Sequence, residues 1–251
     1  MLVVVQASPP VLGLLAHDLR WTIIGLLAGG DLRTGELVAR TGQAPSLVSY
    51  HLGRLRTAGL VSVRRSTADG RDSYHVLDLD ALGQAVAAMA TQVHPGLLAE
   101  AAGREAPRSR DPGVTPRVST VLFICTGNSA RSPMAAGWLN HLGGGRVTAR
   151  SAGVTPAPLH PLAVAAMAEH GVDISGHRPA HLSTFAGRSF SRAITLCDRA
   201  REACGELPGA SEAVHWSIPN PAQAHPPDLD SFRATARELR ARIRYLLPVL
   251  C

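Results

Sequence analysis

Cys125 and Arg131 stand with five residues between them, in the run Cys125-Thr-Gly-Asn-Ser-Ala-Arg131-Ser132-Pro133. A thiol and a guanidinium at this spacing suit attack on a tetrahedral oxyanion. The intervening amides of Thr126, Gly127, Asn128, Ser129 and Ala130, with Arg131, form a concave nest of N–H donors. If a helix starts at the end of that loop, its dipole adds positive potential. Arg131 then grips two oxygens of the anion. The same field favours a Cys125 thiolate, placed for in-line displacement, and Ser132 is within reach to hydrogen-bond the sulfur. As a bare pattern Cys-x5-Arg is weak, so its weight comes from the elements around it.

Those elements read as strand, loop and helix. Val118-Ser-Thr-Val-Leu-Phe-Ile is a near-continuous apolar run ending at Cys125, as a central parallel strand requires. Ser132 is a good N-cap and Pro133 a good first helical residue. Ala193-Ile-Thr-Leu reads as another strand, with Cys197 at its C-terminal end and Cys204 seven residues on. Open α/β sheets place chemistry at that edge. The four cysteines, at 125, 197, 204 and 251, are not a disulfide framework in a reducing compartment. Redox chemistry, metal binding and burial stay open from spacing alone.

From Val121 to Ala135 the chain resembles the low-molecular-weight tyrosine phosphatases, and Cys-Thr-Gly-Asn-Ser resembles their arsenate reductase branch. Ser151-Ala-Gly, Gly171-Val-Asp-Ile-Ser-Gly-His177-Arg and His215-Trp-Ser extend the likeness over about residues 118 to 247. The resemblance implies an α/β domain with a four-stranded parallel sheet. Cys197-Asp-Arg-Ala-Arg-Glu-Ala-Cys204 looks like the redox helix of thioredoxin-coupled members. It implies that Cys125 attacks arsenate, Cys197 attacks the Cys125 sulfur with loss of arsenite, and Cys204 then takes Cys197 into a disulfide that thioredoxin reduces. No bound cofactor is implied. One departure is serious. Where the family carries an aspartate before proline as general acid, this chain has Asn220, in His215-Trp-Ser-Ile-Pro-Asn220-Pro221. Asp198 and Asp228 are the acids that could substitute. Ala130 also departs from the family, as does Ala136 at a position often tied to a monovalent cation, so no such ion is expected. His177 and His215 read as packing or hydrogen-bonding residues. The histidines show no metal-ligand spacing, and no metal site is expected.

The first half reads differently. Leu15, Trp21, Ile24 and Leu27 recur at helical spacing until Gly29-Gly30. A second helix is predicted over Thr34 to Thr41, and a third from Pro45 to Gly59, burying Val48, Leu52 and Leu55. Ser46, Ser49, Tyr50, His51 and Arg54 fall on its other faces. Leu60 to Arg65 and Ser73 to Leu77 read as strands of a hairpin around Asp69-Gly70. Helix, turn, helix and arginine-bearing hairpin make a winged helix-turn-helix, mainly α with a β-hairpin wing. The third helix is expected in the major groove of an operator, with Arg64, Arg65 and Arg71 of the wing against phosphates. Ser49-Tyr-His-Leu and Leu55-Arg-Thr-Ala-Gly-Leu-Val resemble the arsenical-resistance (ArsR-type) repressors, which implies a DNA-binding homodimer. This half contains no cysteine, so the thiol pair that arsenite-sensing members use is missing.

Proline, glycine and charge dominate from Gly103 to Arg117, which is linker composition. The expected division is a DNA-binding domain at 1–94, a linker at 95–117 and a phosphatase-like domain at 118–251. Phe232, Ala236, Leu239, Ile243 and Leu246 stripe a final helix that packs on the sheet. Cys251 reads as a mobile free thiol. The chain is 45% apolar with a net charge of +6, carried by arginine without any lysine. That excludes a disordered chain and suits a polyanionic partner. No run spans a bilayer and no signal peptide is read, so no membrane partner is expected and the cytosol is the expected compartment. Three activities stay open: an arsenic-responsive regulator that also reduces arsenate, a transcription factor whose second domain senses an oxyanion or redox state, and a protein tyrosine phosphatase.

Overall fold

In the computed structural model, residues 9–68, 70–94, 97, 119–204, 209–223 and 226–250 are described. They divide into two compact units, one of Met1–Arg64 with Ser73–Asp111 and one of Arg65–Asp72 with Pro112–Cys251. Most of the expected linker and Cys251 lie outside the described residues, as does Asp69 of the expected turn.

The first unit holds α1 (Pro10–Leu15), α2 (Asp18–Gly29), β1 (Leu32–Arg33), α3 (Thr34–Thr41), α4 (Pro45–Thr57), β2 (Val61–Arg65), β3 (Ser73–Leu77) and α5 (Leu79–Val93). The strands form one sheet in the order β1-β3-β2. Gly42 ends α3 in the left-handed region, at φ 66°, a conformation that glycine adopts without steric cost. Pro45 opens α4. Ile23, Ile24, Leu27, Leu37, Val48, Leu52 and Leu55 make the core. Trp21 does not join them: it is 64% exposed, because the α2 face that packs inward carries Leu19, Ile23, Ile24 and Leu27. Leu15 belongs to the separate helix α1.

In the second unit the order is β4 (Ser119–Cys125), α6 (Arg131–Gly143), β5 (Val147–Gly153), α7 (Pro161–Ala168), a 3-10 turn (Leu182–Phe185), β6 (Arg192–Thr195), α8 (Asp198–Cys204), β7 (Ala213–His215) and α9 (Leu229–Leu250). All four strands are parallel, in the order β5-β4-β6-β7. Ile124 of β4 pairs with Thr195 of β6, and Cys125 with Gly153 of β5. Burial on both faces explains the apolar β4: Val121, Leu122, Phe123 and Ile124 are all buried. On α9 the expected stripe is the packing face, with Phe232, Ala236, Leu239, Ile243 and Leu246 all buried.

Candidate active site and nucleic-acid interface

Cys125 and Cys197 both emerge at the C-terminal edge of the parallel sheet, from the neighbouring strands β4 and β6. Each is 2% exposed. The loop after Cys125 turns through Asn128, whose φ of 47° is the only left-handed value among the described non-glycine residues. Strain at a bulky position persists only where the surroundings over-determine it, and here they do. Asn128 is fully buried. Its Nδ2 donates to Ser132 Oγ at 3.0 Å and to Ser151 Oγ at 2.9 Å. Its Oδ1 accepts from the Ala180 amide at 2.8 Å and lies 3.2 Å from His177 Nε2. That amide contact fixes the orientation of the Asn128 side chain, so His177 carries its proton on Nε2. Burial pulls the His177 pKa down, against the raising effect of the Asn128 contact, which keeps the ring a neutral donor.

Ser132 Oγ lies 3.0 Å from Cys125 Sγ. It already accepts from Asn128, so its proton is available to the sulfur or to the Ala152 carbonyl 3.3 Å away. Ser132 and Pro133 are not the cap and first residue of the helix, as expected from sequence. The helix begins at Arg131, after Ala130 at φ −143°, ψ −81°, with no side-chain cap. An uncapped first turn leaves its N–H groups for an anion. Arg131 is 7% exposed and donates from Nη1 to the Ile218 carbonyl at 2.9 Å.

The loop sits tightly against β5. A Cβ on Gly153 would meet the Thr126 carbonyl at 2.8 Å and the Asn128 amide at 2.9 Å, both backbone atoms. Gly153→Ala must therefore displace the cradle. We expect it to lower any turnover at Cys125 by on the order of 10²-fold, the usual cost of misplacing a reacting group by about 1 Å. Unchanged phosphate affinity in a titration of the alanine variant would show that the cradle does not depend on this contact.

Two contacts join residues that are far apart in sequence. Thr126, beside the first thiol, brings its Oγ1 within 3.3 Å of Cys197 Sγ. Asp198, next to the second thiol, is 1% exposed and anchored on both oxygens. His215 Nε2 donates to Oδ1 at 3.0 Å and Ser217 Oγ at 2.9 Å. The Thr67 amide and hydroxyl donate to Oδ2 at 2.6 and 2.9 Å, within the same compact unit. Burial opposes ionisation of Asp198, but these hydrogen bonds, from His215 foremost, outweigh it and hold the carboxyl well below the usual range. Neither substitute general acid survives. Asp198 is tied down as an anion, and Asp228 caps α9 by accepting from the amide and hydroxyl of Ser231, which also lowers its pKa. Asn220 is exposed, its Oδ1 3.4 Å from the Ala222 amide. Cys204, the last residue of α8, is half-buried; burial first, then the charge of Cys197, pushes its thiol up.

In the first unit, Ser46, Ser49, Tyr50 and Arg54 of α4 are exposed, Tyr50 by 56%. Ser49, Tyr50, Gly53, Arg54, Arg56 and Thr57 line one open depression. Arg64 of this unit is partly exposed, and Arg65 and Arg71, which fall in the second unit, are exposed. His51 departs from the expected DNA-facing set. It is 2% exposed, its ring 4.2 Å from that of His17, its Nδ1 3.3 Å from Arg20 Nη1. A position one residue from Leu52 and three from Val48 falls on the inward side of α4, so His51 packs. Among the described residues no cluster of three histidine, cysteine or acidic side chains is arranged to hold a metal ion, and no helix is long and apolar enough to cross a membrane.

Residues 120–250 match the family model of low molecular weight phosphotyrosine protein phosphatases, and residues 17–63 match that of the arsR family of bacterial regulatory proteins. The arsenate reductase of Halalkalibacterium halodurans is 35% identical over 127 residues, 49% of this chain and 91% of its own length. An arsenate reductase of Staphylococcus aureus is 38% identical over 103 residues, 41% of this chain and 79% of its own length. A solved structure described as an arsenate reductase in the phosphate binding state is 29% identical. It has a TM-score of 0.47 and covers 53% of this chain and 100% of its own.

Proposed function

Because this chain belongs to the low molecular weight phosphotyrosine protein phosphatase family, and carries an arsR-family segment at its other end, we propose that it is an arsenic-responsive transcriptional regulator that also reduces arsenate. The observation that carries this reading is the contact of Thr126 Oγ1 with Cys197 Sγ, which ties a second thiol to the loop of the first. A phosphatase needs one sulfur; a reductase needs electrons from more.

The steps balance through three thiols. The Cys125 thiolate displaces a hydroxyl from arsenate, held by the loop amides of residues 126–131 and the Arg131 guanidinium. The Cys197 thiolate attacks Cys125 Sγ, the Cys125–As bond breaks with its electron pair on arsenic, and arsenite leaves. Cys204 attacks Cys197, freeing Cys125 as a thiolate and leaving a Cys197–Cys204 disulfide. Thioredoxin, the proposed donor, reduces that disulfide by exchange, and no bound cofactor is needed. The last internal step needs the Cys204 thiolate. Its thiol is pushed up, by burial first and then by the charge of Cys197. The rate of Cys197–Cys204 formation should therefore climb steadily between about pH 7 and 9. A flat profile in rapid-quench measurements would contradict this assignment of the resolving thiol.

For the other half we assign Ser46, Ser49, Tyr50 and Arg54 to base edges and Arg64, Arg65 and Arg71 to phosphates, without His51. We also propose a homodimer. Helix α5 has no buried residue, and Leu12, Val86 and Val93 are exposed on α1 and α5. The proposed domains are 1–94 and 118–251, joined by 95–117, in a cytosolic protein; the compact units differ from this division in that Arg65–Asp72 falls in the second. NADPH-coupled arsenate turnover with thioredoxin and its reductase tests the reading directly, and its absence would leave the second one. In that reading the phosphatase-like domain only senses an oxyanion or redox state, which Asn220 at the acid position favours. Operator binding would then change with arsenate or oxidation while nothing turns over.

A further inference from the structure

Resting on the thiol relay proposed above, we propose that Asp198 is its positioning residue: it pins the start of α8 so that Cys197 stays at the Cys125 loop while the Cys204 end moves. Cys204 lies seven residues beyond Cys197, and seven helical steps rise roughly 10 Å. A disulfide needs Cα atoms about 4.4–6.8 Å apart. So α8 must open at one end before these two sulfurs join.

The two ends are unlike. At the start, Asp198 receives four hydrogen bonds, from His215 Nε2, Ser217 Oγ, and the amide and hydroxyl of Thr67. His215 is itself held, its Nδ1 2.8 Å from Thr195 Oγ1 on β6. The first turn is closed by the Arg201 amide donating to the Cys197 carbonyl at 3.1 Å. At the far end, Glu202 and Ala203 are exposed and Cys204 is half-buried. The C-terminal turn is the one that opens. Cys204 then reaches a stationary Cys197, attacks its sulfur in the Cys125–Cys197 disulfide, and releases Cys125 as a thiolate; the Cys204 proton goes to solvent. Asp198 touches no reacting atom and acts only through the place of Cys197.

The test uses the full-length chain carrying Cys204→Ser, so that the relay stops at Cys125–Cys197. Hydrogen peroxide oxidises Cys125 to a sulfenic acid, and Cys197 condenses with it, losing water. Asp198→Asn should slow this condensation at least tenfold, while alkylation of Cys125 by iodoacetamide, measured in a Cys197→Ser chain, changes less than twofold. Ser217→Ala removes a single hydrogen bond and should give a smaller slowing in the same direction, which covers the case of an asparagine variant that does not fold. Equal losses in condensation and alkylation would mean general loosening and overturn the proposal, as would no loss with either variant. Arsenate in place of peroxide separates the two levels. If peroxide forms the disulfide and arsenate does not, the reductase reading fails while the role of Asp198 in placing Cys197 is still measured.

Discussion

Serine in place of Cys125 is expected to lower arsenate turnover by on the order of 10³-fold or more, the scale seen when an enzyme loses its nucleophile. Its sulfur is buried at the end of β4 and within 3.0 Å of the Ser132 hydroxyl. A serine there can be neither ionised at neutral pH nor joined to Cys197. The other two thiols should fail differently. Cys197→Ser leaves the attack on arsenate intact and blocks the release of arsenite, so quenched reactions should contain none. Cys204→Ser should release about one arsenite per chain and stop at a Cys125–Cys197 disulfide. Counting arsenite per chain in a single rapid-quench series separates the three. Sustained turnover of Cys204→Ser with thioredoxin would mean that the reductant reaches Cys197 directly, and the third thiol would lose its place.

Aspartate in place of Asn220 should increase hydrolysis of phosphate esters by on the order of 10²–10⁴-fold, the usual contribution of a positioned general acid. An amide cannot protonate a departing oxygen. Asp198 and Asp228 are each committed to hydrogen bonds that keep them ionised. The gain should grow as the leaving group worsens, larger for phenyl phosphate than for p-nitrophenyl phosphate, because a poor leaving group needs the proton more. A new basic limb should appear in the pH profile as the aspartic acid loses its proton. Arsenate reduction should move far less, since the Cys197 attack needs no protonated ester oxygen. Equal, small changes with both esters would show that residue 220 does not face the leaving group.

Much of this could be read from the residues. Apolar β4, Cys125 at its end and Arg131 six positions on are local features, and local patterns survive folding. So is the stripe of α9. His51 packs inward because the third helix buries more than the Val48, Leu52 and Leu55 seam, and a histidine beside that seam is covered by its neighbours. Ser132 has the residue type of a cap, but Ala130 already holds the turn before the helix, which no residue type marks. The Asp198 cluster was out of reach for another reason. It joins Thr67, Thr195, His215 and Ser217 from separate stretches of chain, and no periodicity marks a contact made only by tertiary packing.

The neighbouring places of β4 and β6 have one more consequence. Parallel strands lie about 4.8 Å apart whatever connects them. The gap between the strand ends that lead into the two thiols, Ile124 and Thr195, is thus a lattice spacing of the sheet, not a property of the connecting chain from 126 to 191. Insertions in the surface turns of that crossover should leave the thiols in step. A slip of β6 by one residue against β4 would instead turn Ile194 and Thr195 to the opposite faces of the layer and carry the Cys197 turn out of step with the Cys125 loop, which makes hydrogen-bond register, rather than loop length, the tolerance that this chemistry can least exceed.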